Sequence, residues 1–188
     1  VYGTGAQVTE GVKIIGNSIG LVQFSALSNT NDQERANLLT LRFIKISVML
    51  SLVAMIVVSL LPTSLFEWLF SEEFSGIRSV IILLAPGIVF FSANNILANH
   101  FQGTGMPKYN LYASIIGLVI ILPSVYILIP RFGIAGAAIS TSITFAAIFV
   151  YQWIVFHRMT GIRLSQLVPN SDDWKWVKEE TSRIFKKD

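Results

Sequence analysis

Residues 111–156 read LYASIIGLVIILPSVYILIP, then RFG, then IAGAAISTSITFAAIFVYQWIVF. A hydrocarbon core about 30 Å thick takes about 20 apolar residues as helix. Both halves meet that length, and no acidic residue interrupts either one. A break of three residues can only return the chain antiparallel at once. The stretch therefore predicts a helical hairpin buried in a bilayer.

Three more apolar runs lie upstream, at 3–27, 43–62 and 77–99. Together the five runs predict an all-α, polytopic membrane helical bundle of about five transmembrane helices, over residues 1–158. Residues 159–188 are expected to form a cytoplasmic amphipathic tail. Asn170 and Ser171 can cap a helix there, Asp172 and Asp173 begin it, and Lys186 and Lys187 end it. That order suits the helix dipole. A partly disordered tail is the competing reading.

Composition agrees. Hydrophobic residues make up 53% and charged residues 13%, and the mean hydropathy is +0.62. Soluble domains carry about 25% charged residues, so too few charges remain to coat a water-facing surface. The net charge of +3 does not indicate nucleic acid, because the charges sit at span ends and in the tail. The chain has no cysteine, which excludes a disulfide framework. It opens at Val1, almost directly inside a span-like segment, and is expected to be part of a longer protein.

One run is impure. Residues 3–27 contain Glu10 and Lys13 among nine Val, Ile, Leu or Phe residues. On the insertion scale those nine contribute roughly −3 to −5 kcal/mol, and a central Lys costs about 2.5–3.5 kcal/mol. With Glu10 added, the sum is close to zero. Such a helix needs a bundle interior or a wet cavity. Gln7, Glu10, Lys13, Asn17 and Gly20 recur at steps of three or four, so they share one face. Functionally, that face lines a polar pathway. Structurally, Glu10 and Lys13 could form a self-satisfied pair that fixes packing.

The run 77–99 carries a second polar stripe: Ser92, Asn95, Asn99 and Gln102, with Asn94 and His100 beside it. Carboxamides offer donors and acceptors suited to sugar hydroxyls or phosphate oxygens. Inter-helix hydrogen bonding is the competing role. His100 is expected at the membrane interface, and Pro86-Gly87 predicts a kink. In the last run, Gly136, Ser140 and Thr144 form a small-residue face for close helix packing. Walker loops and paired Cys/His ligands are absent from the sequence, so no cofactor and no enzymatic activity are expected.

Five antiparallel spans would gather Arg35, Arg42, Lys45, Lys108, Arg158 and Arg163 on one side. Arg78 and Arg131, with Glu67, Glu72 and Glu73, would lie on the other. The positive-inside rule makes the first side cytoplasmic and puts the C-terminus inside.

Three segments also carry a resemblance. They are Leu84-Ala85-Pro86-Gly87, Gln102-Gly103-Thr104-Gly105-Met106-Pro107-Lys108, and the stretch from Ile129-Pro130-Arg131-Phe132-Gly133 to Ser140-Thr141. In this order they resemble the C-terminal lobe of bacterial polysaccharide transporters, the O-antigen and capsule-repeat flippases of the MOP exporter superfamily. The resemblance implies the partial second lobe of a twelve-helix transporter in the bacterial inner membrane. It implies flipping of undecaprenyl-pyrophosphate-linked sugar repeat units, with the missing N-terminal helices as partner. Lys13 would meet the anionic head group and Glu10 would set or relay charge. Asn17, Asn95 and Asn99 would complete the substrate-binding set. A multidrug and toxin exporter of the same superfamily, or a non-transporting membrane scaffold, are the alternatives.

Overall fold

The computed structural model describes residues 32–62 and 77–167, together with Ile14, Gly20, Gln23 and Leu27. Among the described residues there are three long helices, one 3-10 turn at Leu164–Leu167 and no strand. We label the helices α1 (Gln33–Leu60), α2 (Ile77–Gly103) and α3 (Lys108–Thr160).

Asp32 caps the start of α1. The Asp32 carboxylate accepts from the backbone N–H of Glu34 at 3.0 Å and of Arg35 at 3.3 Å. It thereby satisfies donors that a helix start leaves orphaned. Pro62 sets the other end. The residue before a proline avoids the α region, and Leu61 is extended at φ −61, ψ 135.

Helix α2 continues through Pro86. The proline withholds the N–H that the Ile82 carbonyl would take. One residue on, the Leu83 carbonyl accepts from the Ser142 hydroxyl of α3 at 2.8 Å. Beyond Gly103 the backbone closes in a Schellman turn. Met106 N–H reaches Phe101 O at 2.7 Å and Gly105 N–H reaches Gln102 O at 3.2 Å. Gly105 takes φ +75, the left-handed position that this motif reserves for glycine.

The expected count of about five separate helices is corrected. Among the described residues three helices are long and apolar enough to cross a membrane: Gln33–Leu60, Ser79–Gly103 and Lys108–Thr160. One reason is that the run 3–27 lies outside the described residues except at four positions. The other is that runs 111–130 and 134–156 belong to one 53-residue element. That element is not straight. Gly133 has φ 56 and ψ −129, and the chain folds back there. A Cβ on Gly117 would lie 2.8 Å from Ile148 Cδ1, although a straight helix would separate these residues by about 46 Å. A Cβ on Gly136 would strike the backbone carbonyl of Leu128. The limbs 108–132 and 134–160 therefore form the hairpin that the sequence predicts, each about 37–40 Å long.

Helix α2 is the centre. It packs on α1 at one side and on the α3 hairpin at the other. The main core joins Leu41 and Ile44 of α1, Ile96, Leu97 and Phe101 of α2, and Trp153 and Phe156 of α3. The outward sides are apolar as well. Val53, Val57 and Leu60 of α1, and Leu118, Val119 and Leu122 of α3, are all more than half exposed. Patches of that kind mark a surface made for something other than water.

Candidate functional site

Helix α2 brings five amide or imidazole side chains into its last three turns: Asn94, Asn95, Asn99, His100 and Gln102. Gly20 of the impure run lies against two of them. A Cβ there would sit 3.3 Å from Asn95 Nδ2 and would collide with the Asn99 amide. Of the first stripe only Gly20 is described, and it lies against Asn95 and Asn99 of the second. Glu10, Lys13 and Asn17 lie outside the described residues.

Part of the α2 stripe is structural. Ser92 is wholly buried and hydrogen-bonds Ser51 of α1. Asn94 donates from Nδ2 to the Phe145 carbonyl of α3 at 3.0 Å. From α3, Asn110 donates from Nδ2 to the Ala98 carbonyl at 2.9 Å. These main-chain acceptors fix both amides, since only the NH2 side can donate.

The other half of each amide is left over. Asn94 Oδ1, Asn110 Oδ1 and Gln152 Oε1 are buried and have no hydrogen-bond partner among the described residues. All three residues line one cavity of about 240 Å³, with Asn95, Phe91 and Phe145. An unsatisfied buried acceptor costs about 1–3 kcal/mol. A donor brought to these oxygens would remove that cost. Residues 77–167 contain no Asp or Glu, so the cavity is built from neutral acceptors and aromatic faces.

His100, expected at the membrane interface, is wholly buried within the bundle, because the start of α1 and the end of α3 cover this part of α2. Its ring meets Phe156 edge-on with centroids 5.1 Å apart. Its Nδ1 lies 2.8 Å from Thr40 Oγ1. Gln23 Nε2 donates to the same oxygen at 3.2 Å. Three segments are thereby pinned at one hydroxyl.

Sequence reasoning missed Asn110 and Gln152. A signal existed for Gln152, a carboxamide inside an apolar run, where polar groups are costly and usually purposeful. Asn110 had none, since it follows a turn where asparagine is ordinary.

The family model of the lipid II flippase MurJ matches residues 10–175. The chain belongs to this family. The resemblance to polysaccharide flippases read from the three segments is thus borne out. A capsular polysaccharide biosynthesis protein of Staphylococcus aureus is 28% identical over 116 residues, covering 61% of this chain and 29% of that protein. A probable low-salt glycan biosynthesis flippase of Haloferax volcanii is 29% identical over 124 residues, 66% of this chain and 26% of that protein. An uncharacterized membrane protein of Methanocaldococcus jannaschii is 31% identical over 97 residues, 52% of this chain and 19% of that protein. The chain thus spans between a fifth and a third of the length of these curated relatives. No solved structure gives a significant match. MurJ-family membership and the long apolar helices make this a multi-pass membrane protein.

Proposed function

We propose that this chain is part of a flippase that moves lipid-linked oligosaccharide repeat units across the bacterial inner membrane during polysaccharide biosynthesis. The observation that carries the reading is the α2–α3 cavity, lined by three residues whose amide oxygens have no donor among the described residues, in a chain of the MurJ family. Sugar hydroxyls and acetamido N–H groups are donors of the right kind. Two matched relatives are named for capsular polysaccharide or glycan biosynthesis, which supports the same substrate class.

In this reading Lys13 holds the anionic head group, an undecaprenyl pyrophosphate, and Glu10 sets or relays charge. Asn17, Asn95 and Asn99 touch sugar hydroxyls. The N-terminal helices of the same transporter supply the opposite wall, and the lobes rock in alternating access. The basic end of the bundle, with Arg35, Arg42, Lys108, Arg158 and Arg163, faces the cytoplasm with the C-terminus. A cation-coupled drug exporter would favour a carboxylate without a neighbouring base, and Glu10 has Lys13 three residues away.

The test is genetic. In the complete transporter, Lys13→Ala should abolish surface polysaccharide at normal protein abundance, and Gln152→Leu should reduce it. Unchanged polysaccharide in Lys13→Ala would remove the head-group assignment. Unchanged polysaccharide in both would remove the substrate reading.

A further inference from the structure

The open end of the α3 hairpin gathers three cations. The contacts of Gly117 with Ile148 and of Gly136 with Leu128 set the register of the two limbs. The same register puts Lys108 opposite His157 and Arg158. Beyond Arg158 the chain turns at Gly161, with φ +71. His157 Nδ1 donates to the Ile162 carbonyl at 2.8 Å, and Ile162 N–H donates to Thr160 Oγ1 at 3.2 Å. Arg163, the next residue, is thereby held at the same end. Lys108, Arg158 and Arg163 are all exposed.

Among the described residues no acid neutralises these charges. Asp32 and Glu34 are the acids there, and the Asp32 carboxylate is engaged in capping α1. Residues 77–167 contain neither Asp nor Glu. Lys108 Nζ rests over the Tyr109 ring, 5.3 Å from its centroid, an attraction that leaves the charge in place. Three like charges gathered at one end repel each other, and an anion from outside relieves that repulsion.

The face beside the cations selects the source of the anion. Leu111, Ile115, Leu118 and Leu122 recur at steps of three or four on one side of the first limb. Each is about half exposed or more. From Leu111 to Leu122 the helix rises about 16 Å, and one leaflet holds about 15 Å of hydrocarbon. A cationic site thus caps a strip of apolar surface one leaflet deep. Free phosphate would use the cations alone, and a zwitterionic lipid brings its own ammonium to offset the attraction. We propose that the open end of the α3 hairpin is a docking site for an anionic phospholipid. Its phosphate lies at Lys108, Arg158 and Arg163, and an acyl chain lies along the strip from Leu111 to Leu122.

The chain has no cysteine, so one reporter can be placed at will. Leu111→Cys carries a bimane in the 188-residue chain, reconstituted in phosphatidylcholine vesicles, and brominated lipids quench it. Each basic side chain near an anionic partner is worth about fivefold in affinity. Brominated phosphatidylglycerol should therefore reach half quenching at a mole fraction at least about fivefold below that of brominated phosphatidylcholine. Lys108→Gln with Arg158→Gln should bring the two curves together, while Lys108→Arg with Arg158→Lys should keep them apart. Equal quenching by both lipids in the unsubstituted background, as when Asp172 and Asp173 fill the patch, would overturn the assignment. So would a preference that survives the double glutamine variant, which would make it a property of the whole basic end. Loss of the preference in excess inorganic phosphate, or on adding a trace of polyprenyl phosphate, would give the patch to another anion and overturn it too. The transport reading stands or falls separately, on the polysaccharide assay.

Discussion

Thr40 has one hydroxyl proton and three neighbours that can use its oxygen. The Ala36 carbonyl lies 2.9 Å away within α1. If the proton goes there, Oγ1 accepts from Gln23 and from the Nδ1–H of His100. Thr40→Val keeps the shape and removes all three bonds. Two buried donors are then stranded, at about 1–3 kcal/mol each, less whatever a membrane context recovers. The unfolding midpoint in detergent should fall clearly below wild type. Ser114→Ala, which removes an exposed bond to the Asn110 carbonyl, should stay within about 0.5 kcal/mol. Equal midpoints for the two variants would refute the pin. Nothing in the sequence could have announced this bond, because its partners are 17 and 60 positions away from Thr40. For the same reason the burial of His100 is not legible in the sequence. Asn95 and Asn99 were legible because helical periodicity alone puts them on one face.

The α3 hairpin depends on two glycines for two different reasons. Gly133 has open space where a Cβ would go but holds φ +56, which an L side chain rarely adopts. Gly136 has no such torsion, but its Cβ would meet the Leu128 carbonyl. Gly133→Ala should cost about 1–3 kcal/mol in SDS-titration unfolding, as backbone strain does. Gly136→Val should cost at least as much and also widen the limb spacing. Cysteine pairs introduced as Gly117→Cys and Ile148→Cys should cross-link in wild-type background and fail with Gly136→Val. The hairpin was readable because three residues between two span-length runs permit little else. The small-residue face was readable too, and Gly136, Ser140 and Thr144 are buried as it requires.

At the scale of the molecule, α2 is tied on both sides. Thr40 and Ser51 hold it to α1, while Phe145 O and Ser142 hold it to α3. This bundle should move as one body against the rest of the transporter. The chain lacks cysteine, so topology can be mapped without background. Arg163→Cys should react with a membrane-impermeant maleimide only from the cytoplasmic side, and Phe132→Cys only from the other. The opposite pattern would invert the orientation. The helical membrane bundle was legible because hydrophobic length is set by the bilayer. The site cavity was not, because it is assembled from leftover halves of amides whose other halves are occupied by main-chain carbonyls. The Gly133 fold-back also bears on how the protein is made. Leu128 and Gly136 are eight residues apart and touch in the finished fold. Their contact becomes available almost as soon as both have left the ribosome, so the two limbs can enter the bilayer as a pre-paired unit. Synthesis would then deliver this half of the bundle in one step.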